Sequence, residues 1–219
     1  MSGVNVAGPL DDLVKTYVDP VMKEGGFRRL RLRRWWITSP GGNAVFVQIR
    51  PYLSEPTVEF HVEVAAFPAV LREYHDERSG SKPVKFEWGL LQTRPKPPDH
   101  LSTYPHPGSS LWGVRLDGFD VTGPKLRDHF RDFAIHLWKS FLSLPALAQA
   151  AYGGRRADLA ILSCYGPDFG KVILEVDEGD PRELEESIDA LIAARADRNL
   201  LEWLRRRVHA RVEGAATCK

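Results

Sequence analysis

Glu59, His61 and Glu63 alternate with valine and phenylalanine in TVEFHVEVAAF, residues 57–67. Side chains two apart share one face of an extended chain. Two carboxylates and an imidazole so placed could ligate a metal or act as an acid/base pair. The sequence sets no second histidine beside them, and the plainer reading is a solvated strand face paired with arginines. His129 and His136, seven apart, share one helix face, where surface or boundary packing is the simpler account. His75-Asp76-Glu77 falls where a helix runs into a loop, and His100 and His106 sit in a proline-rich loop poorly suited to a preorganised site. Cys164 and Cys218 are far apart and not at metal-ligand spacing. A phosphate loop, a dinucleotide glycine fingerprint, HExxH, CxxC and a nucleophile elbow are all missing from the sequence. No catalytic residue, metal or cofactor is therefore expected.

The second constellation is GGFRRLRLRRWW, residues 25–36, with five arginines in seven positions ahead of two tryptophans. Arginine interleaved with aromatics suits phosphate contact and base stacking. Read as one extended chain over 28–38, it places Leu30, Leu32, Arg34 and Trp36 on one face. Arg29, Arg31, Arg33, Trp35 and Ile37 fall on the other. Because neighbouring residues face opposite ways, one tryptophan must point outward and the other into the core. Arg155-Arg156 and Arg205-Arg206-Arg207 are further basic groups, the latter at the negative end of a helix dipole.

The elements that must hold these groups follow from period. Leu10, Leu13, Val14, Tyr17, Val18 and Val21 recur at helical spacing, with Asp19-Pro20 suited to a kink or a restart and Gly25-Gly26 as the stop. SPGGN then turns the arginine strand into AVFVQIRPY, where Val45, Val47 and Ile49 alternate with Phe46, Gln48, Arg50 and Tyr52. TVEFHVEVAAF forms the third strand of a meander. With its valines over the first helix, the opposite face would bring strand-one and strand-two arginines beside Glu59 and Glu63. Residues 68–82 read as a short helix entering a loop, Val84, Phe86, Trp88 and Leu90 as a fourth strand, and 94–110, with five prolines, as an irregular loop. Leu111 to Leu116 is extended.

Leu126, Phe130, Phe133, Ala134, Leu137, Trp138 and Phe141 form the apolar face of the strongest helix, followed by a shorter one over 145–152. Residues 156–164 look helical, and 170–177 fit strand or helix equally. Asp180-Pro181-Arg182-Glu183 opens a helix, and Asp197 or Asn199 caps the last one. The fold class is α+β: an antiparallel four- to five-stranded meander packed against helices. One domain spans 1–165, and a helical extension over 166–219 packs on it.

Composition sets the frame for function. The 219 residues carry 43% hydrophobic and 27% charged side chains at a formal net charge of +1. That balance removes any whole-molecule attraction to nucleic acid or membrane, so a basic patch must act locally. The start lacks a basic stretch followed by an apolar run, no run of about eighteen apolar residues occurs, and a soluble cytoplasmic protein without a membrane partner is expected.

A helix ending in GGFRR, a hairpin whose second strand carries VQIR, a valine-alternating strand, then LWGV and LPAL in that order resembles the bacterial domain-of-unknown-function family DUF 4304, over roughly residues 10–165. The resemblance implies a compact α+β domain and carries over no catalytic or ligand residue. By analogy alone, such domains resemble toxin-neutralising or other conflict-system partners. The functional expectation is a non-enzymatic domain binding another protein through an exposed sheet face. Its contact set is Arg29, Arg31, Arg33, Trp35, Trp36, Arg50, Tyr52, Glu59, His61 and Glu63. The alternatives are a nucleic-acid-associated protein using Arg28 to Arg34, and an enzyme with an unrecognised site.

Overall fold

Asp19-Pro20 restarts the first helix rather than ending it. In the computed structural model, helix α1 (Ala7–Leu13) passes through a π-helical turn (Val14–Val18) into α2 (Asp19–Glu24). The structure describes residues 7–52, 57–80, 85–102, 109–115, 118–153, 159–161 and 165–217. Gly26, at φ +87°, adopts the left-handed conformation that glycine tolerates and turns the chain into the sheet.

The arginine run is a hairpin, not a single strand. Strands β1 (Arg28–Arg31) and β2 (Arg34–Thr38) pair antiparallel across a turn at Leu32-Arg33. Arg33 takes φ +65°, which costs about 1 kcal/mol for a residue with a Cβ. Its carbonyl accepts from the Ile49 amide at 2.9 Å and its guanidinium meets Asp11 at 3.5 Å, which fixes the turn in place. Pairing continues from β2 to β3 (Ala44–Tyr52) and from β3 to β4 (Thr57–Phe67).

After helix α3 (Ala69–Ser79) the expected fourth strand is displaced. Phe86–Trp88 forms a 3-10 turn, and strand β5 is Leu91–Pro95, partly inside the stretch expected to be loop. Strand β6 (Leu111–Arg115) lies beside the first half of β4, while β5 lies beside its second half and pairs with β7 (Leu159–Ile161). Residues 159–161 are thus extended where a helix was expected, and the rest of 156–164 lies outside the described residues. The sheet has seven strands, all pairs antiparallel, so it is wider than the four to five strands expected.

The chain is α+β with a helical C-terminal region. Helix α4 (Phe119–His129) continues through a second π-turn (Phe130–Ala134) into α5 (Ile135–Ser140), followed by α6 (Leu144–Tyr152). Residues 170–177 resolve mostly as helix α7 (Pro167–Glu175), ahead of α8 (Pro181–Ala193) and α9 (Arg198–Thr217). Asp180 caps α8 by accepting from the Arg182 and Glu183 amides, and Asp197 accepts from the Leu200 amide.

One face of the sheet carries Val45, Val47, Ile49, Val58, Phe60, Val62 and Val64, all buried. Leu13 and Met22 of the first helix, Phe130 and Trp138 of the long helix, and Leu184, Ile188, Leu200 and Leu204 of α8 and α9 belong to the same hydrophobic cluster. Fully burying each such side chain contributes roughly 1.5–3 kcal/mol. The opposite, outer face is apolar at one end only, where Ala44, Phe46, Ala65, Phe67 and Phe86 form a smaller cluster under Trp36 and Trp88.

Candidate functional site

The outer face of β3 and β4 is where the sequence placed a solvated charged surface, and burial corrects it. Glu59 and Glu63 are only 2% and 1% exposed. The reason is topological. β4 has strand neighbours on both sides, so its outward carboxylates are walled in by side chains from β3, β5 and β6. Glu63 is compensated chiefly by Arg94 of β5, whose Nη2 and Nε donate to Oε1 at 2.7 and 3.1 Å. Gln48 donates to its Oε2, and Arg50 stands 3.9 Å away across the strands. Only the Arg50 pairing was expected. Arg94, the main partner, had been assigned to a loop.

His61, half-buried between these glutamates, approaches the Ser110 carbonyl through Nδ1 at 3.2 Å and meets the Tyr52 ring edge-on at 5.7 Å. Among the described residues no three His, Cys, Asp or Glu side chains are grouped to hold a metal.

The two tryptophans divide as strand geometry requires. Trp35 is 1% exposed in the main core and donates from Nε1 to Asp19 at 2.8 Å. Trp36 lies on the outer face, half-buried against Phe46 and Phe67 with the Arg72 guanidinium 5.9 Å above its ring. Trp35 is thus enclosed in the core, whereas Trp36 keeps part of its ring accessible at the edge of the outer apolar cluster.

The arginines also split. Arg29 and Arg33 turn to the helical side, pairing with Asp19 at 2.7 Å and Asp11 at 3.5 Å. They do not reach Glu59 or Glu63, which corrects the expected cross-strand pairing. Arg31 was placed on their face, but the β1–β2 register shifts between Arg29 and Arg31. Arg29 is opposite Trp35, whereas Arg31 is opposite Arg34. The bulge carries Arg31 to the outer side.

There Arg31 borders a cleft of about 840 Å³ between the β1–β2 turn, the end of β3 and the 85–87 segment. Among the described residues, Arg31, Arg33, Arg34, Arg50 and Lys85 line it together with one carboxylate, Glu87. Phe46, Gln48 and Phe86 form part of its wall. Among the described residues Arg31, Arg34 and Lys85 have no ion pair, and Nη1 of Arg33 is shielded from solvent without a hydrogen-bond partner. Lys85, which the sequence did not single out, rests 5.4 Å from the Trp88 ring. Leu32 lines the cleft and Tyr52 lies on the same outer face, 36% and 52% exposed, and Leu30 stands 40% exposed at the bulge of β1.

Arg205-Arg206-Arg207 lies in the middle of α9 (Arg198–Thr217), not at the helix end where it was expected to meet the dipole, and two of its members are ion-paired. Arg205 pairs with Asp189, and Arg207 with Asp177 and Glu73. Arg155-Arg156, His106, Cys164 and Cys218 lie outside the described residues. No described helix is long and apolar enough to cross a membrane.

Compared with known proteins, the chain matches no family model, no curated protein and no solved structure.

Proposed function

We propose that this protein is a non-enzymatic binding domain that recognises another protein through the outer face of its sheet, centred on the β1–β2 turn and the end of β3. The carrying observation is the cleft in which unpaired arginines and exposed Leu32 converge. Arginine and aromatic side chains are the residue types that most often anchor interfaces, and Arg31, Arg34, Arg50 and Tyr52 supply them on one surface. The expected contact set therefore contracts to those four with Leu30, Leu32 and Lys85.

Two measurements test the reading. Replacing Arg50 and Tyr52 by alanine should weaken partner binding at least tenfold, about 1.4 kcal/mol, with the unfolding midpoint almost unchanged. Installing a photo-crosslinking phenylalanine analogue at Tyr52 should trap one dominant protein from nuclease-treated native lysate, whereas the same probe at Arg206 should not. Equal labelling from both positions would sink this choice of face.

A nucleic-acid partner is the second reading, favoured by Arg28, Arg31, Arg34 and Lys85 standing without ion pairs. A mobility shift that weakens steeply with salt, and more for Arg31→Ala than for Arg206→Ala, would promote it.

A further inference from the structure

The lining of the cleft also narrows the chemistry of its occupant, on the reading that this face binds a protein. Among the described residues five cations and one carboxylate line the cleft, and with Asp11 at Arg33 and Glu63 3.9 Å from Arg50 the site still keeps a local positive excess in a chain of net charge +1. Such local concentration steers and retains an anionic ligand. The cations are mostly arginines, whose planar forks match a carboxylate with two parallel hydrogen bonds.

Three observations favour carboxylates on a peptide over phosphates on a nucleic acid. Among the described residues the lining of the cleft offers no exposed ring on which a base could stack, since Phe46 and Phe86 are 2% and 7% exposed, and the exposed Tyr52 lies beyond that lining. Among the described residues the free cations of the cleft stop at Arg28 of the same hairpin: across the face Arg94 is bound to Glu63, and on α9 Arg205 and Arg207 are held by acids. Leu30 and Leu32 instead set exposed apolar side chains on the arginine hairpin, where they suit the aliphatic side chains of a peptide.

We propose that the cleft binds an acidic, extended peptide segment of the partner, its carboxylates held by Arg31, Arg34 and Lys85 and its apolar side chains resting on Leu30 and Leu32. Arg33 is held by Asp11 and its Nη1 is shielded from solvent, so the exposed Arg31 and Arg34 carry the contact.

The test is fluorescence anisotropy of the full chain with three labelled probes: a peptide alternating glutamate and leucine, the same peptide with glutamine for glutamate, and a single-stranded oligonucleotide of equal charge. Saturable binding of the acidic peptide, at least tenfold tighter than the glutamine peptide, is expected. Arg31→Glu with Arg34→Glu should weaken it at least a hundredfold, while Arg206→Glu on α9 should have little effect. Both cleft arginines are exposed, so an unchanged unfolding midpoint confirms that the variant is folded.

Equal or tighter binding of the oligonucleotide overturns the proposal in favour of nucleic acid. Absence of saturable peptide binding also overturns it. If crosslinking at Tyr52 still traps one protein in that case, the protein-binding face stands and only its acidic occupant is wrong. If crosslinking fails as well, both readings fall.

Discussion

Glu63 shows how a side chain can be charged, buried and structural at once. Its carboxylate is 1% exposed, with Arg94 at 2.7 Å, Gln48 donating to the other oxygen, and Arg50 farther off with 65% of its side chain exposed. Removing one member of a buried pair is costlier than the pair is worth, because the remaining charge stays desolvated. Arg94→Ala should therefore destabilise the protein by about 3 kcal/mol in urea unfolding. Arg50→Ala, removing a long contact to a mostly solvated side chain, should stay within about 0.5 kcal/mol. Adding Glu63→Gln to Arg94→Ala should recover part of the loss, since the amide needs no counter-charge. A loss below about 1 kcal/mol for Arg94→Ala would mean that Gln48 and Arg50 already compensate the carboxylate. The same contacts weaken the metal and acid/base reading of Glu59-His61-Glu63: one carboxylate is committed to Arg94, and His61 is turned toward Ser110 and Tyr52.

At the scale of elements, the two π-turns decide which side chains meet. In the second, the Ile135 amide reaches the Phe130 carbonyl, five residues back, so the helix advances by less than its usual angle per residue. Phe133, expected in the core, is rotated out to 53% exposure, while Ala134 and Ile135 turn inward to 4%. The first π-turn carries Tyr17, whose ring lies against Gly123 of α4 so closely that an added Cβ would overlap it. Gly to Ala inside a helix ordinarily gains up to about 1 kcal/mol. Here the sign should reverse, with Gly123→Ala costing about 1–2 kcal/mol by overpacking. In a Tyr17→Ala background the same change should become neutral or favourable, and thermal unfolding of the four proteins decides it.

These cases mark what the sequence makes legible. The valines of β3 and β4 declare their face because period two runs unbroken, and Asp180 declares its cap because the partners are two and three residues away. The sequence sets Trp35 and Trp36 on opposite faces without choosing the outer one, and it misplaces Arg31 because neither the turn that brings Arg31 opposite Arg34 nor the one-residue bulge leaves a mark in the pattern. Arg94 is hidden for another reason. Its prolines suggest a loop, and its partner is fixed only by the β4–β5 register, a long-range pairing.

At the scale of the whole molecule, two half-buried imidazoles link the fold to pH. His75 stacks flat on Trp88 at 4.6 Å, and burial lowers its pKa, an effect opposed by Asp197 and Asp76 and aided by Arg78. His129 lies 5.6 Å from the Trp112 ring and 5.4 Å from Phe133, and burial lowers its pKa too, with the nearby His100 adding to the effect. A histidine depressed below its unfolded value near 6.5 binds fewer protons in the folded state than in the unfolded state. Its neutral form is favoured at neutral pH, and acidification through 6.5 draws protons to the unfolded chain. Stability should consequently fall between about pH 7 and pH 5, above the range in which ordinary carboxylates titrate. Urea unfolding across that window should show a declining midpoint, and His75→Asn with His129→Asn should flatten the decline even if it lowers the plateau. His75 also joins α3 to the turn carrying Lys85 and Phe86, through the Trp88 stack and a backbone hydrogen bond. Protonation would put a charge that burial disfavours between α3 and this turn, and although the Trp88 backbone contact favours the protonated ring, the net effect should be to loosen one wall of the cationic cleft. Peptide affinity should weaken at pH 5.5 more in the native chain than in His75→Asn, whereas equal pH dependence in the two would separate the wall from the histidine.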